Sequence, residues 1–202
     1  MGKELTGTPG HPIFTFSQAP VRHKPRYVVK SGVLTSEECA FLVRHGQKRW
    51  DSKDKRLVVP AAEKGRVVDD CAIYPEDLGR RAKLWDKIAE AMGDKKVNPW
   101  GLILTGINEP FQLLRYRQGG VYVPHTDYEY AINDRSKLTM ILFLRDASTY
   151  QGGDLHVVNS VAPRLRKGDA IFFPSLLVHS VTPVLSGERM VLGGWATGPD
   201  FM

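Results

Sequence analysis

The sequence predicts an α+β fold: a jelly roll of antiparallel strands in the C-terminal half, with helices of the N-terminal half packed against one of its sheets. Three observations predict it. From residue 111 onward the chain is a series of short apolar segments divided by Gly119-Gly120, Gly152-Gly153, Gly168-Asp169 and Ser186-Gly187, and eight strands at that spacing suit a sandwich or jelly roll. Helical periodicity is confined to the part upstream of these strands. A length of 202 residues with 42% hydrophobic residues suits one globular domain, with residues 1–110 supporting a barrel core at 111–202.

The elements follow in order. Residues 1–25 hold four prolines and little periodicity, and are expected to run over the surface. Tyr27-Val28-Val29 opens a short strand. Thr35-Ser36-Glu37-Glu38 reads as a capping box, in which the threonine hydroxyl and the Glu38 carboxylate satisfy exposed N–H groups of the first turn. The helix it starts runs to about Trp50. Residues 51–65 are charged, contain Pro60 and Gly65, and read as a mobile loop. Residues 66–74 read as a strand, and residues 78–92 carry Leu84, Trp85, Ile88, Ala89 and Met92 at helical spacing. The barrel strands are expected at 111–117, 121–128, 138–144, 154–158, 163–165, 170–173, 177–184 and 190–196.

Composition narrows the function classes. No stretch approaches the roughly 20 apolar residues that span a bilayer, and the N-terminus has no apolar leader core, so a cytoplasmic protein without a membrane partner is expected. The two cysteines, Cys39 and Cys71, are expected to be buried thiols. The net charge of +6 lies wholly in residues 1–100, which hold 19 basic and 13 acidic residues. Clusters at Arg44-His45, Lys48-Arg49 and residues 53–56 could face an acidic partner, but a solvated helix face and loop is the favoured reading, and nucleic acid is not the expected partner.

The chemistry is concentrated in His125-Thr126-Asp127 and, 54 residues after the first histidine, His179. Side chains alternate faces along a strand, so positions 125 and 127 point the same way and deliver an imidazole and a carboxylate to one place. Pro124 has no N–H and suits a strand end or edge. His179 stands in an otherwise apolar run and needs a partner for each nitrogen; alone, it reads rather as a core histidine bound to carbonyls, and it is His125 and Asp127 beside it that turn the reading to a metal ligand. Two histidines and one carboxylate hold a divalent metal on one triangular face and leave other positions open, as in non-haem Fe(II) sites. If Leu185-Ser186-Gly187 closes a three-residue hairpin, His179 lies opposite Gly193 and Arg189 opposite Pro183. Arg189 then shares the face of His179, and its planar guanidinium suits an acidic ligand there.

These residues resemble the Fe(II)- and 2-oxoglutarate-dependent dioxygenases, in particular the prolyl-4-hydroxylase-like branch. The resemblance runs through Leu114-Arg115-Tyr116, His125-Thr126-Asp127, Gly152-Gly153-Asp154-Leu155, Phe173-Pro174, His179 to Val184, Gly187-Glu188-Arg189 and Trp195. It implies a double-stranded β-helix with Fe(II) held by His125, Asp127 and His179, and 2-oxoglutarate reaching Arg189 with its far carboxylate. It also implies that Tyr116 contacts the co-substrate and that Thr139 lines the same pocket, while Tyr122 and Trp195 border the substrate. The implied reaction uses O2, decarboxylates 2-oxoglutarate to succinate and hydroxylates an unactivated C–H bond on a protein or peptide residue. A free amino acid or small metabolite is the alternative substrate, and a metal-dependent binding module the non-enzymatic one. The sequence departs from the branch at Arg66 to Tyr74, where the prolyl hydroxylases carry an arginine-serine pair followed by an aromatic. That departure puts the prolyl substrate in question and leaves the oxygenase chemistry in place.

Overall fold

One large sheet separates two cores in the computed structural model, which describes residues 24–51, 65–128 and 135–199. The elements are β1 (Val28–Lys30), α1 (Ser36–Trp50), β2 (Arg66–Val67), β3 (Asp69–Ile73), α2 (Lys83–Gly93), β4 (Phe111–Tyr116), β5 (Val121–His125), β6 (Ser136–Phe143), β7 (Tyr150–Gly152), β8 (Leu155–Val157), β9 (Ser160–Val161), β10 (Ala170–Pro174), β11 (His179–Val181), β12 (Val184–Gly187) and β13 (Arg189–Thr197). Most of the proline-rich stretch at 1–25, the loop expected at 51–65 and the basic cluster at 53–56 lie outside the described residues.

Six strands form the large sheet in the order β1-β10-β6-β13-β4-β3, and five form a smaller one in the order β2-β5-β11-β8-β9. β7 and β12 make a two-stranded ribbon. All of these pairings are antiparallel.

Alternation along the central strands builds the two cores. Leu113 on β4, Leu138, Met140 and Leu142 on β6, and Met190 and Leu192 on β13 pack with Cys39 and Leu42 of α1 and Leu84, Ile88 and Met92 of α2. The opposite parity, Leu114 and Tyr116, Ile141 and Phe143, and Val191, packs with Leu155, Val157 and Val181 of the small sheet. Both faces of β6 are covered, and from Leu138 to Phe143 its apolar residues are interrupted only by Thr139. The expected backing of one sheet by helices is thus seen.

The first helix begins where the sequence places it. Thr35 accepts the Glu38 N–H at 3.2 Å and donates its own N–H to the Glu38 carboxylate at 2.7 Å. Gly46 lets this helix approach the sheet: a Cβ there would lie 2.8 Å from the Trp50 ring and 3.0 Å from Leu113. Part of the basic excess is spent locally, since Arg49 reaches Asp77, Lys87 pairs with Glu38 and Arg81 pairs with Glu37. Cys39 and Cys71 are buried free thiols, and burial raises Cys39 to about 11. Among the described residues no helix is long and apolar enough to cross a membrane.

Four strand expectations change. The strand expected at 66–74 divides at buried Val68 into β2 and β3, which belong to different sheets. The strand at 163–165 does not form, and β9 pairs with β8 just before it instead. The strand at 177–184 is two strands, separated by Thr182-Pro183, and Pro183 has no N–H to continue a ladder. Most consequential is the hairpin. Gly187 does adopt a left-handed φ of 74°, yet β12 pairs with β7, while β13 crosses into the large sheet between β4 and β6. Arg189 therefore lies opposite Tyr116, not Pro183, and His179 lies between His125 and Val157, not opposite Gly193. A hairpin would pair one edge of β13, whereas the central position pairs both edges and buries nearly all of the strand.

Candidate metal centre

His125 ends β5 and is the cross-strand partner of His179, the first residue of β11. Between Tyr122 and His125 the register of β5 against β11 shifts, so three steps on β5 match two on β11. Pro124 stands in this bulge, one residue before the strand end. Because of the extra residue, Tyr122 and His125 both face inward, and their rings stack at 3.6 Å with an interplanar angle of 15°. Asp127 lies just past the strand, where its N–H is held by the Ser175 carbonyl at 3.0 Å. Simple alternation along one strand is therefore not what aligns positions 125 and 127.

The two imidazoles are oriented alike. Nδ1 of His125 lies 2.9 Å from the Val123 carbonyl and Nδ1 of His179 lies 3.1 Å from the Leu177 carbonyl. A carbonyl can only accept, so Nδ1 carries the proton and Nε2 presents its lone pair. Those Nε2 atoms lie 3.5 and 3.4 Å from the two carboxylate oxygens of Asp127. One ligand atom from each of the three residues falls within 4.8 Å of the others. Ligand atoms about 2.0–2.2 Å from an ion and at right angles would be about 3 Å apart, so this cluster closes on a metal with small movements.

Electrostatics favour the ligating protonation states. Burial alone would raise the Asp127 carboxyl, but the His125 and His179 imidazoles and the Thr139 hydroxyl hold it below its usual 3.8. Burial, reinforced by His125, lowers His179 below 6.5 against the pull of Asp127, so its neutral form prevails at pH 7.

Beneath this cluster lies a cavity of about 50 Å³, lined by residues of both sheets. Arg189 also lines it, 1% exposed, and none of its three guanidinium nitrogens has a hydrogen-bond partner among the described residues. Its guanidinium carbon is 4.9 Å from the Tyr116 ring centre and 5.4 Å from that of Phe143. Cation–π contacts are worth up to about 2 kcal/mol each when desolvated, against several kcal/mol for burying a cation, so Arg189 lacks an anion. Gly153 leaves it room: a Cβ there would stand 3.1 Å from Arg189 Cδ. Tyr116 is fully buried beside it, and burial pushes its hydroxyl up to about 12 despite the arginine.

Of the residues singled out from sequence, His125, Asp127, His179, Arg189, Tyr116, Tyr122 and Trp195 all line this cavity. Thr139 does not line it as expected. It is fully buried behind Asp127, and its hydroxyl donates to Asp127 Oδ2 at 2.7 Å. Two polar lining residues were not anticipated as site residues, Arg66 and Gln112. Arg66 is ion-paired with buried Asp70 at 2.8 Å and lies 5.6 Å from the Tyr122 ring centre. Gln112 shares the parity of Leu114 and Tyr116 on β4, a signal that alternation alone carries.

A model of the 2OG-Fe(II) oxygenase superfamily matches residues 111–197. A PKHD-type hydroxylase from a Synechococcus species is 31% identical over 166 residues, covering 81% of this chain and 74% of that protein. The chain belongs to the 2OG-Fe(II) oxygenase superfamily. Members of this family need Fe(II), 2-oxoglutarate and O2, and the described donor set, two imidazoles and a carboxylate sharing a cavity with a guanidinium that has no partner among the described residues, fits both the metal and the dicarboxylate. The alignment with a PKHD-type hydroxylase of Maricaulis maris, 37% identical over 84 residues, spans about two fifths of each protein. Among solved structures, a Pseudomonas putida prolyl-4-hydroxylase matches with a TM-score of 0.65 at 22% identity, covering 87% of this chain and 94% of that one. A Trichoplax adhaerens prolyl hydroxylase, solved with a hypoxia inducible factor peptide fragment, matches with a TM-score of 0.62 at 15% identity, covering 85% and 83%. These likenesses give the oxygenase the jelly-roll fold of the prolyl hydroxylases.

Proposed function

We propose that this chain is a double-stranded β-helix dioxygenase that hydroxylates an unactivated C–H bond on a residue of a protein or peptide. His125, Asp127 and His179 hold Fe(II), and Arg189 receives the far carboxylate of 2-oxoglutarate. The observation that carries the reading is Arg189: a buried guanidinium with no partner among the described residues, lining the same cavity as the His-Asp-His cluster. A planar fork of donors matches a carboxylate in two prongs and is far better satisfied by one than by two aromatic faces.

With the metal and co-substrate bound, O2 and 2-oxoglutarate are converted to succinate and CO2, and one oxygen atom enters the substrate's C–H bond as a hydroxyl. The protein's part is positional. The two Nδ1–carbonyl hydrogen bonds fix the imidazole rings, Tyr122 braces His125 by stacking, and Tyr116 and Phe143 flank the arginine. Apolar Leu114, Ile141, Leu155, Val181 and Val191 line the space between and exclude water from it.

The size of the cavity supports the macromolecular substrate. About 50 Å³ admits a handful of waters at about 10–15 Å³ each, and a ten-atom dicarboxylate uses all of it. The reacting C–H bond is then presented from outside this space, past the half-buried Tyr122, Trp195 and Gln112 of its lining, and an extended chain can reach there without being engulfed. The peptide held by one structural neighbour, the Trichoplax adhaerens prolyl hydroxylase, accords with this.

Succinate release from 2-oxoglutarate, measured with panels of peptides and of free amino acids, tests the reading. Peptides should stimulate release and gain the mass of one oxygen, and Asp127→Ala should abolish both. Stimulation by free amino acids or metabolites alone would reject the peptide substrate. Absence of the visible charge-transfer band on anaerobic addition of Fe(II) and 2-oxoglutarate would reject the oxygenase site itself.

A further inference from the structure

We infer that Thr139 and Ser175 form a buried, directional pair of hydroxyls that holds Asp127 as a one-oxygen ligand. This rests on the reading of His125, Asp127 and His179 as the metal ligands, and it moves Thr139 from the co-substrate pocket to a positioning role.

Thr139 and Ser175 are both 0% exposed. Thr139 Oγ1 is 2.7 Å from Asp127 Oδ2 and 3.0 Å from Ser175 Oγ. The direction follows from counting protons. A carboxylate only accepts, so the single hydroxyl proton of Thr139 goes to Asp127, and Ser175 must donate its own to Thr139 Oγ1. Ser175 grips Asp127 a second time through its backbone, since its carbonyl accepts the Asp127 N–H at 3.0 Å. Its own N–H is fixed on the Lys137 carbonyl, also at 3.0 Å. The residue after β5, the row of β6 and the exit of β10 are thereby tied at one carboxylate.

Nothing in the packing of β6 calls for a hydroxyl at 139. The neighbouring positions are Leu138, Met140 and Ile141, all buried, and valine has nearly the shape of threonine. What the hydroxyl adds is an occupant for Oδ2. Neither hydroxyl reaches Oδ1, which lies 3.5 Å from His125 Nε2 and is the oxygen this pair leaves open. The coordination number makes this matter. A metal held by the two histidines and a single carboxylate oxygen would keep positions open for the co-substrate and O2, and a carboxylate free to swing and bind through both oxygens would leave fewer.

Anaerobic titration of the full chain with Mn(II), followed by calorimetry, tests the inference in wild type, Thr139→Val, Thr139→Ser and Ser175→Ala. Loss of an outer hydrogen bond to a ligand typically weakens metal binding about 10–100-fold, and that loss is expected for Thr139→Val. Thr139→Ser keeps the hydroxyl and should bind within about threefold of wild type, while Ser175→Ala, which removes only the outer link, should fall between. The absorption band of the Fe(II)–2-oxoglutarate complex should shift in Thr139→Val and return in Thr139→Ser. Thr139→Val binding Mn(II) as tightly as wild type, or Thr139→Ser as weakly as Thr139→Val, overturns the proposal. If Thr139→Val does not fold, Ser175→Ala decides: unaltered Mn(II) affinity and an unaltered band overturn it. Mn(II) bound equally by wild type and Asp127→Ala, or by neither, refutes the assignment of the ligands, a separate failure visible before the hydroxyls are compared.

Discussion

Replacing Arg189 by methionine should move stability and ligand affinity in opposite directions. In the unliganded protein the guanidinium is 1% exposed, all three nitrogens are unpartnered among the described residues, and only the Tyr116 and Phe143 rings, at 4.9 and 5.4 Å, offset its desolvation there. Methionine is unbranched, apolar and of similar length, so it fills the space without the buried charge. Exchanges of buried charge for apolar volume are neutral or stabilising by about 1–4 kcal/mol. At about 2–4 °C per kcal/mol for a chain of this size, the unliganded melting temperature should hold or rise by up to about 15 °C. Binding should suffer. Two charge-assisted hydrogen bonds at about 1.5–3 kcal/mol each amount to about 3–6 kcal/mol, or a Kd for 2-oxoglutarate about 10²–10⁴-fold weaker. Thermal melts with Mn(II), with and without 2-oxoglutarate, read both effects. Wild type at 100 times its Kd gains about 2.7 kcal/mol from the ligand, and the variant should gain almost none at that concentration. A variant that melts well below wild type when unliganded, yet keeps the full 2-oxoglutarate shift, would refute the role assigned to Arg189.

Two further outcomes follow from local geometry. Gly153 has φ +62°, and a Cβ there would meet Val184 at 2.9 Å and Arg189 Cδ at 3.1 Å; Gly153→Ala should weaken 2-oxoglutarate binding about tenfold, the equivalent of about 1.4 kcal/mol, by displacing the arginine, read by the same calorimetry. Thr35→Ala should cost about 1 kcal/mol and lower the melting temperature by about 2–4 °C. The capping box also sets a pH dependence. Burial raises the Glu38 carboxyl, but its contacts with Lys87 and Thr35 outweigh that and hold it below 4.5 in the folded state. Its stabilisation is therefore present above the unfolded value and disappears as pH falls through the folded one. Wild type and Glu38→Gln should differ in melting temperature at neutral pH and converge as pH falls below the lowered folded value.

Sequence alone determined what depends on neighbours along the chain. The capping box at Thr35, the apolar rows of β4, β6, β10 and β13, the turn glycines and the backing of one sheet by helices are all set by local hydrogen bonding and by periodicity, which a linear reading captures. The same reading singled out the residues that gather at the cavity, because His125, Asp127, His179 and Arg189 are polar types in apolar strands. Only the tertiary structure decided how they meet. The bulge at Pro124 turns Tyr122 and His125 to one side, Asp127 is aimed by the Ser175 carbonyl from outside β5, and Arg189 arrives on a strand of the other sheet, not across a hairpin from His179. Thr139 shows the difference most directly. A threonine facing the inner side of β6 is compatible with lining a pocket or with holding a carboxylate, and the choice depends on Ser175, 36 residues away, whose position no local pattern encodes. Strand partners are selected by which arrangement buries the most surface with the fewest unpaired backbone groups, and that sum runs over the whole fold.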